Sequence, residues 1–458
     1  MKFTFEGREV TATDGQSLAG ALHANGVSVL SRSPKYHRPR GYTCGFSACG
    51  NCPLTVDGMP GVLACATPAR GGEDVRREQG FPGSGFDLIR SADLAKPLLP
   101  AGFQFRLFTK NPRLSSLAGT FMAVLAGGGR MPSPSAAASA TVTKVVRQAA
   151  AVLVVGGGPS GLATALGAAE AGQDVVVVDR AFDGGRALVR TEPIHDAGKV
   201  VGDVREHFAR LLEAARKHGN ITLITGTAAG LLDGVVPVIA GRVRYELEPE
   251  RVVVATGCYE VPALFANNDR PGVMLADAAV KLAELEAAPP GRRIVIATDS
   301  DRGHDVARRL TAAGCHVTAV IDSRASGGRP AEGWEVLTGL RPSKAHGWSR
   351  VRAVSFTGGT GPVKVPGDTL VLAYGRRRSE EFALHAAYTA AGSHLDVTDD
   401  NPDLPAAHLV VGTATGEMTY DTAELRRNAQ ARFGPDTTTH THAVMAHRPY
   451  EGDTDAQA

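Results

Sequence analysis

Four cysteines near the N-terminus constrain this chain more than any other feature. Cys44, Cys49 and Cys52 follow a C-x4-C-x2-C pattern, and Cys65 comes after a further twelve residues. The first three match a ligand spacing used to wrap a [2Fe–2S] cluster. A four-residue loop between two thiolates lets the backbone curl over a cluster and aim amide N–H groups at its sulfurs. Gly45, Ser47, Ala48 and Gly50 are small enough for that curl. Pro53–Asp57 reads as a strand turning at Asp57-Gly58, after which Gly61–Ala64 returns the chain to deliver Cys65. The rival readings are a zinc site or two disulfides. Zinc ribbons favour two C-x2-C units, and only one is present here. Disulfides need an oxidising compartment, and the strand-like start Met1–Glu6 is not expected to be a signal peptide.

Around the cysteines the pattern is that of a β-grasp ferredoxin: hairpin, helix, then cysteine loop. Phe3 and Phe5 alternate with polar residues, Glu6-Gly7 turns, and Val10-Thr11 continues as a second strand. Ser17 is placed to cap a helix carrying Leu18, Ala21 and Leu22, which Asn25-Gly26 ends. The basic run Ser33–Gly41 reads either as a solvated loop or as a contact for a flavin phosphate or an acidic partner.

A second, independent signal begins at Ala151. Ala151–Val155 is a buried parallel strand by composition, and it runs into Gly156-Gly-Gly158-Pro159-Ser160-Gly161. A helix of small residues follows, then Val175–Val178 and Asp179. Glycines that admit a pyrophosphate at a helix N-terminus, with an acid about 20 residues on for the ribose, form a dinucleotide fingerprint. FAD and NAD share it. Asp183-Gly-Gly185-Arg186 and Arg251–Gly257 favour FAD, with Arg180, Thr256 and Gly257 as further candidate contacts. Gly412 is another, although Thr413 stands where an Asp is usual.

A second Rossmann-like unit starts at Arg292–Ala297, but Thr298 and Ser300 occupy its first two glycine places, leaving Gly303. Side chains there obstruct a pyrophosphate, and Asp299 and Asp301 repel it. Cys258 and Cys315 read as buried inert thiols.

The expected architecture is therefore α/β: a two-dinucleotide-domain, glutathione reductase-like flavoprotein fold preceded by a β-grasp [2Fe–2S] domain. The boundaries read as 1–80 for the ferredoxin-like domain and 81–148 for an apolar but irregular connector. An FAD domain follows at 149–265 and 371–433, with an inserted Rossmann-like domain at 266–370 and a flexible tail at 434–458. With 49 Lys and Arg against 47 Asp and Glu, a nucleic-acid partner is not implied. No apolar run is long enough to span a bilayer, so membrane association is not expected and a cytoplasmic location follows by default.

Lys35–Gly41, Leu99–Phe103, the Gly156 fingerprint and Ala266-Asn-Asn-Asp-Arg-Pro-Gly-Val-Met274 together resemble the α subunit of heterotetrameric sarcosine oxidase. The same architecture is similar to the α-type subunits of hydrogen cyanide synthase, opine oxidases and dye-linked proline dehydrogenases. The resemblance implies an electron-transfer subunit of a heteromeric oxidase or dehydrogenase acting on C–N bonds. It also implies a D-amino-acid-oxidase-type β subunit, a small additional subunit in some members, and an FMN at a subunit interface. The nucleotide at the Gly156 site varies among such subunits between FAD, NAD and ATP. Two departures matter: sarcosine oxidase α subunits generally lack the cluster cysteines, and they carry a C-terminal folate-binding domain, which is not expected for this sequence. The rival functions are a stand-alone NAD(P)H-dependent reductase and a non-catalytic scaffold holding a static nucleotide.

Overall fold

A computed structural model describes residues 1–34, 36–78, 87, 93, 116, 119, 131–326, 332–359, 361–379, 381–382, 385, 408–411 and 419–434. The expected tail after residue 434, Gly412 with its Thr413 neighbour, and connector residues 81–86, 88–92, 94–115, 117–118 and 120–130 lie outside the described residues. The chain forms two compact units. The first comprises Met1–Thr141, Val189–Thr191 and Tyr259–Arg377; the second comprises Val142–Leu188, Glu192–Cys258 and Arg378–Ala458.

The first unit opens with a five-stranded sheet ordered Arg8–Thr11, Lys2–Phe5, Asp74–Arg77, Pro53–Val56, Met59–Leu63. Lys2–Phe5 pairs parallel with Asp74–Arg77, and the other pairings are antiparallel, as in a β-grasp. Alternation decides which faces are inside: Phe3 and Phe5 are buried, while their neighbours face solvent. The Asp57-Gly58 turn has φ of 49° and 79°, the left-handed pair that a tight hairpin needs. Ser17 caps the helix Leu18–Ala24 by accepting from the Gly20 amide at 3.0 Å.

The same unit holds a parallel five-stranded sheet ordered Val273–Leu275, Thr369–Ala373, Ile294–Thr298, Val317–Asp322, Glu335–Thr338. Its strands are near-continuous apolar runs, as expected of strands covered on both faces. The expected boundary at 370 cuts through this arrangement. Thr369–Ala373 is hydrogen-bonded on both sides, to Val273–Leu275 and to Ile294–Thr298, so the inserted segment extends to Arg377. One apolar core runs from Phe3, Leu18 and Leu54 through Met274, Val280 and Leu282 to Ile296 and Leu370. The ferredoxin-like module and the inserted segment are thus parts of one unit.

The second unit is built on a seven-stranded sheet. Ile221–Thr225, Val175–Asp179, Lys144–Val155 and Val243–Val254 run parallel in that order. His408–Val410 also pairs parallel with Val243–Val254, and an antiparallel extension follows through Val236–Ala240. The helix Pro159–Glu170 is buried along nearly its whole length because Gly, Ala and Ser let it lie close to its neighbours.

Candidate functional site: a thiol cluster and a dinucleotide loop

The cysteine loop is shaped by left-handed residues. Gly45, Ser47 and Gly50 have φ of 71°, 57° and 63°, so the backbone bends repeatedly and turns its amides inward. The Ser47 amide donates to Cys65 Sγ at 3.2 Å, and the Cys65 amide donates to Cys52 Sγ at 3.5 Å. Cys44, Cys52 and Cys65 are buried, and Cys49 is exposed at the rim. The thiols meet in pairs, Cys44 with Cys49 and Cys65, and Cys65 with Cys52. Hydrogen bonds from the Cys49 and Cys65 thiols hold Cys44 down to about 2. A hydrogen bond from Cys65 likewise lowers Cys52, while Cys49 and Cys65, as the donors, are pushed up. Four thiolates cannot coexist at this spacing without added positive charge, which iron supplies. Pairwise thiols with amides aimed at sulfur fit a two-iron cluster.

The Gly156 loop lies at the C-terminal end of Lys144–Val155. A Cβ on Gly156, at φ 111°, would sit 2.3 Å from the Ala255 carbonyl oxygen and 3.2 Å from the Thr256 amide. A Cβ on Gly161 would sit 1.9 Å from the Gly156 oxygen. These two glycines permit close packing of loop, helix and neighbouring strand. Gly158 differs: a Cβ there would meet nothing within 4 Å. Its open face is where a pyrophosphate would approach the helix N-terminus, beside Pro159 and Ser160. Asp179 reaches the loop. Its carboxylate accepts from the Gly157 amide at 2.6 Å and from the Ala181 amide at 2.9 Å, while burial raises its pKa. Phe182 covers Gly157: a Cβ there would be 2.4 Å from the ring.

The structure brings Thr256 to the loop beside Gly156, and its hydroxyl donates to the Ser379 carbonyl at 2.8 Å. The Gly257 carbonyl accepts from the Ser379 amide at 2.9 Å. Arg180 is exposed just past Asp179, and Gly185 and Arg186 lie in the short helical turn Gly185–Leu188. Gly185 donates its amide to Asp183 at 2.9 Å.

Two sequence motifs turn out to bind each other. Arg38 and Arg40 of the basic run reach Asp269 of Ala266–Met274 at 3.2 and 2.9 Å, and Arg38 also donates to Asn267 Oδ1 at 2.5 Å. His37 Nδ1 and Arg32 Nε meet Asp87 at 2.8 and 3.2 Å. The run is therefore engaged inside its own unit, which weakens its reading as a solvated loop or a phosphate contact. The second nucleotide loop is filled. A Cβ on Gly303 would lie 2.3 Å from Thr298 Cβ, and the Thr298 hydroxyl is held by the Ser300 and Ala373 carbonyls, each at 2.9 Å. Burial pulls the Asp322 carboxyl up, but hydrogen bonds from Arg324 outweigh it and hold the carboxyl below its usual range. Cys258 and Cys315 are buried, as expected.

Sequence reasoning missed a buried charge group in which Arg302 bonds Glu260 at 2.5 Å and Asp277 at 2.9 Å, with Arg376 on Asp277 at 2.6 Å. It also missed Lys281 and Glu286, which lie 3.3 Å apart at the back of the cysteine loop. A glycine inside the short helix Leu18–Ala24 was the available signal for Glu286, because Gly20 admits its carboxylate.

A 2Fe-2S iron-sulfur cluster binding domain matches residues 1–80, and the pyridine nucleotide-disulphide oxidoreductase family matches residues 150–401. The chain belongs to the pyridine nucleotide-disulphide oxidoreductase family. With its cluster-binding domain it has the fold expected above, and [2Fe–2S] and FAD are the cofactors these two domain types call for. The likeness to sarcosine oxidase α subunits is borne out. The chain is 34% identical over 354 residues to sarcosine oxidase subunit alpha of Rhizobium meliloti (strain 1021), covering 72% of this chain and 35% of that protein. It is 29% identical over 335 residues to the subunit of Corynebacterium sp. (strain P-1), covering 70% and 30%. This oxidoreductase chain thus spans about a third of the length of those relatives. Hydrogen cyanide synthase subunit HcnA of Pseudomonas aeruginosa (strain PAO1) matches 78 residues at 32% identity, covering 17% of this chain and 74% of that protein. The crystal structure of L-proline dehydrogenase from P. horikoshii shares the fold at TM-score 0.59 and 21% identity, covering 90% of this chain and 68% of that one.

Proposed function

We propose that this chain is the electron-transfer, α-type subunit of a heteromeric flavoprotein oxidase or dehydrogenase that acts on C–N bonds. Its substrates would be amines or amino acids of the sarcosine, glycine, proline or opine kind. The observation that carries this reading is the pairing of an amide-lined set of four thiols with an open dinucleotide loop in one chain related to sarcosine oxidase α subunits. Cys44, Cys49, Cys52 and Cys65 would hold the cluster. Gly156, Gly158, Pro159, Ser160 and Gly161 would receive the FAD pyrophosphate, and Asp179 the ribose. Thr256, Gly257, Gly185, Arg186, Arg180 and Gly412 would border the same cofactor. When bound, the flavin accepts an electron pair and the cluster passes electrons singly.

The chain's own residues bind and orient. The loop amides set the hydrogen bonding at sulfur, and Asp179 is fixed by two amides before any ribose arrives. The substrate step falls to a partner, a β subunit of D-amino-acid-oxidase type, with an FMN at the interface and a small further subunit as additional components. No helix among the described residues is long and apolar enough to cross a membrane. A reducing, cytoplasmic setting goes with this reading, since cluster ligands must stay thiolates.

Anaerobic co-purification with native partners tests the reading, followed by optical and EPR spectra before and after glycine, sarcosine, proline and opines. Cluster reduction by one of these substrates, only with a partner present, is expected. Reduction in the lone chain, or zinc in place of iron, would overturn it.

A further inference from the structure

Lys281 lies far in sequence from the cysteines, yet its ammonium closes the back of their loop. It stands where the helix Ala276–Val280 passes into a wider π turn, Lys281–Leu285. Its Nζ donates to the Gly45 carbonyl at 2.9 Å and to the Cys65 carbonyl at 2.8 Å. Glu286 Oε1 lies 3.3 Å away, and the Phe46 ring centre 5.0 Å. An ammonium has three protons, so two carbonyls and one carboxylate use them all. The carbonyls belong to the residue after Cys44 and to Cys65 itself, so one side chain ties both arms of the thiol site.

The arrangement is enclosed and braced. The Lys281 side chain is 16% exposed and that of Glu286 1%. Glu286 also accepts from the Ser17 amide at 3.4 Å, and its carbonyl accepts from Gln16 Nε2 at 2.7 Å. Gly45 lies close enough to the helix that a Cβ on it would be 3.2 Å from Ala278 Cα. Charges held in such surroundings act more strongly than they would in water.

Resting on the reading of the four cysteines as cluster ligands, we propose that Lys281 is a positioning residue for the cluster that also makes it easier to reduce, with Glu286 acting in the opposite sense. Reduction by reduced flavin adds one electron to a site already lined by thiolates. A fixed cation nearby stabilises that added charge, and a fixed anion opposes it. The inserted Rossmann-like segment, which supplies both residues, thereby sets a property of the N-terminal module.

The test is a mediated redox titration of the full chain, purified without oxygen and followed by EPR, with iron measured in every sample. Lys281→Met should shift the cluster midpoint to more negative potential, Glu286→Gln to more positive, and Lys281→Arg should stay close to the natural chain. Opposite signs mark a charge effect, because loosened packing has no reason to move the two variants in opposite directions. Full iron with coincident midpoints overturns the proposal and leaves the cluster reading intact, as does a shift of both variants in one direction. Absence of iron from the unsubstituted chain overturns the cluster reading itself. If Lys281→Met fails to hold iron, Glu286→Gln decides alone, since it retains the ammonium and both carbonyl contacts.

Discussion

Replacing Gly20 by Ala sets two effects of opposite sign against each other. Gly20 is the third residue of the helix Leu18–Ala24, where Ala normally stabilises by about 1 kcal/mol through propensity. Here the new Cβ would lie 1.7 Å from Glu286 Oε2 and 2.6 Å from its Cδ. Restoring ordinary contact means moving the carboxylate roughly 2 Å. Its bonds to the Ser17 amide and to Lys281 are already long, at 3.4 and 3.3 Å, so that shift breaks them. Disrupting a buried ion pair costs about 3–5 kcal/mol, toward the low end here because Lys281 keeps its two carbonyls. The net expectation is a loss of about 2 kcal/mol. Both tryptophans of the chain, Trp334 and Trp348, lie in the first unit, so the urea midpoint read by tryptophan fluorescence reports this unit. In a Glu286→Ala background the obstacle is gone, and Gly20→Ala should be neutral or stabilising. A Gly20→Ala chain as stable as the natural one would refute the placement of Glu286 against the helix.

Two alanine substitutions in the dinucleotide loop should separate folding from binding. Gly156→Ala meets a backbone oxygen at 2.3 Å with φ at 111°, so it should lower stability by about 2 kcal/mol or more. Gly158→Ala meets nothing and has φ −74°, so stability should change by about 0.5 kcal/mol or less while flavin absorbance per protein falls. A third expectation concerns pH. Burial, with Asp277 alongside, pushes the Glu260 carboxyl up to about 7 from an ordinary 4.5. The folded chain therefore binds a proton that the unfolded chain releases; this contribution is fully present below 4.5 and is lost as pH rises to about 7. Glu260→Gln should flatten the dependence of unfolding midpoint on pH in that window, and an unchanged slope would assign the dependence to other groups.

Much of this fold was legible because local pattern and tertiary demand agreed. Phe3 and Phe5 alternate, Ser17 precedes an apolar helix, and Asp57-Gly58 can adopt only a few turns; each did in the structure what its chemistry favours. Gly156 and Gly161 were legible for the same reason, since close approach leaves glycine no substitute at those two positions. What stayed hidden was non-local. Nothing near Arg38 announces Asp269, and nothing near Cys65 announces Lys281, because those partners are fixed by packing between segments more than two hundred residues apart. The limit of the inserted segment was missed for a related reason. Thr369–Ala373 reads as a buried strand in either unit, and only its two parallel partners decide where it belongs.

The inserted segment poses the sharpest functional question, since a pyridine nucleotide would have to enter there for the chain to act alone as a reductase. Three groups that such a ligand would need are already engaged. Thr298 fills the space under Gly303, Arg324 occupies Asp322 at the end of Val317–Asp322, and Arg302 turns inward to Glu260 and Asp277. Asp301 is paired with Arg324 at 2.8 Å, which leaves Asp299 of the same loop to oppose a pyrophosphate. Meanwhile the same segment contributes Lys281 to the cysteine loop. A Rossmann-like sheet whose ligand loop is filled, but whose neighbouring helix braces another site, serves best as a support. Anaerobic mixing of the isolated chain with NADH should accordingly leave the flavin spectrum unchanged over the time in which dithionite bleaches it. Rapid bleaching by NADH would show that the side chains in the Thr298 loop yield to a ligand, and the stand-alone reductase would become the better reading.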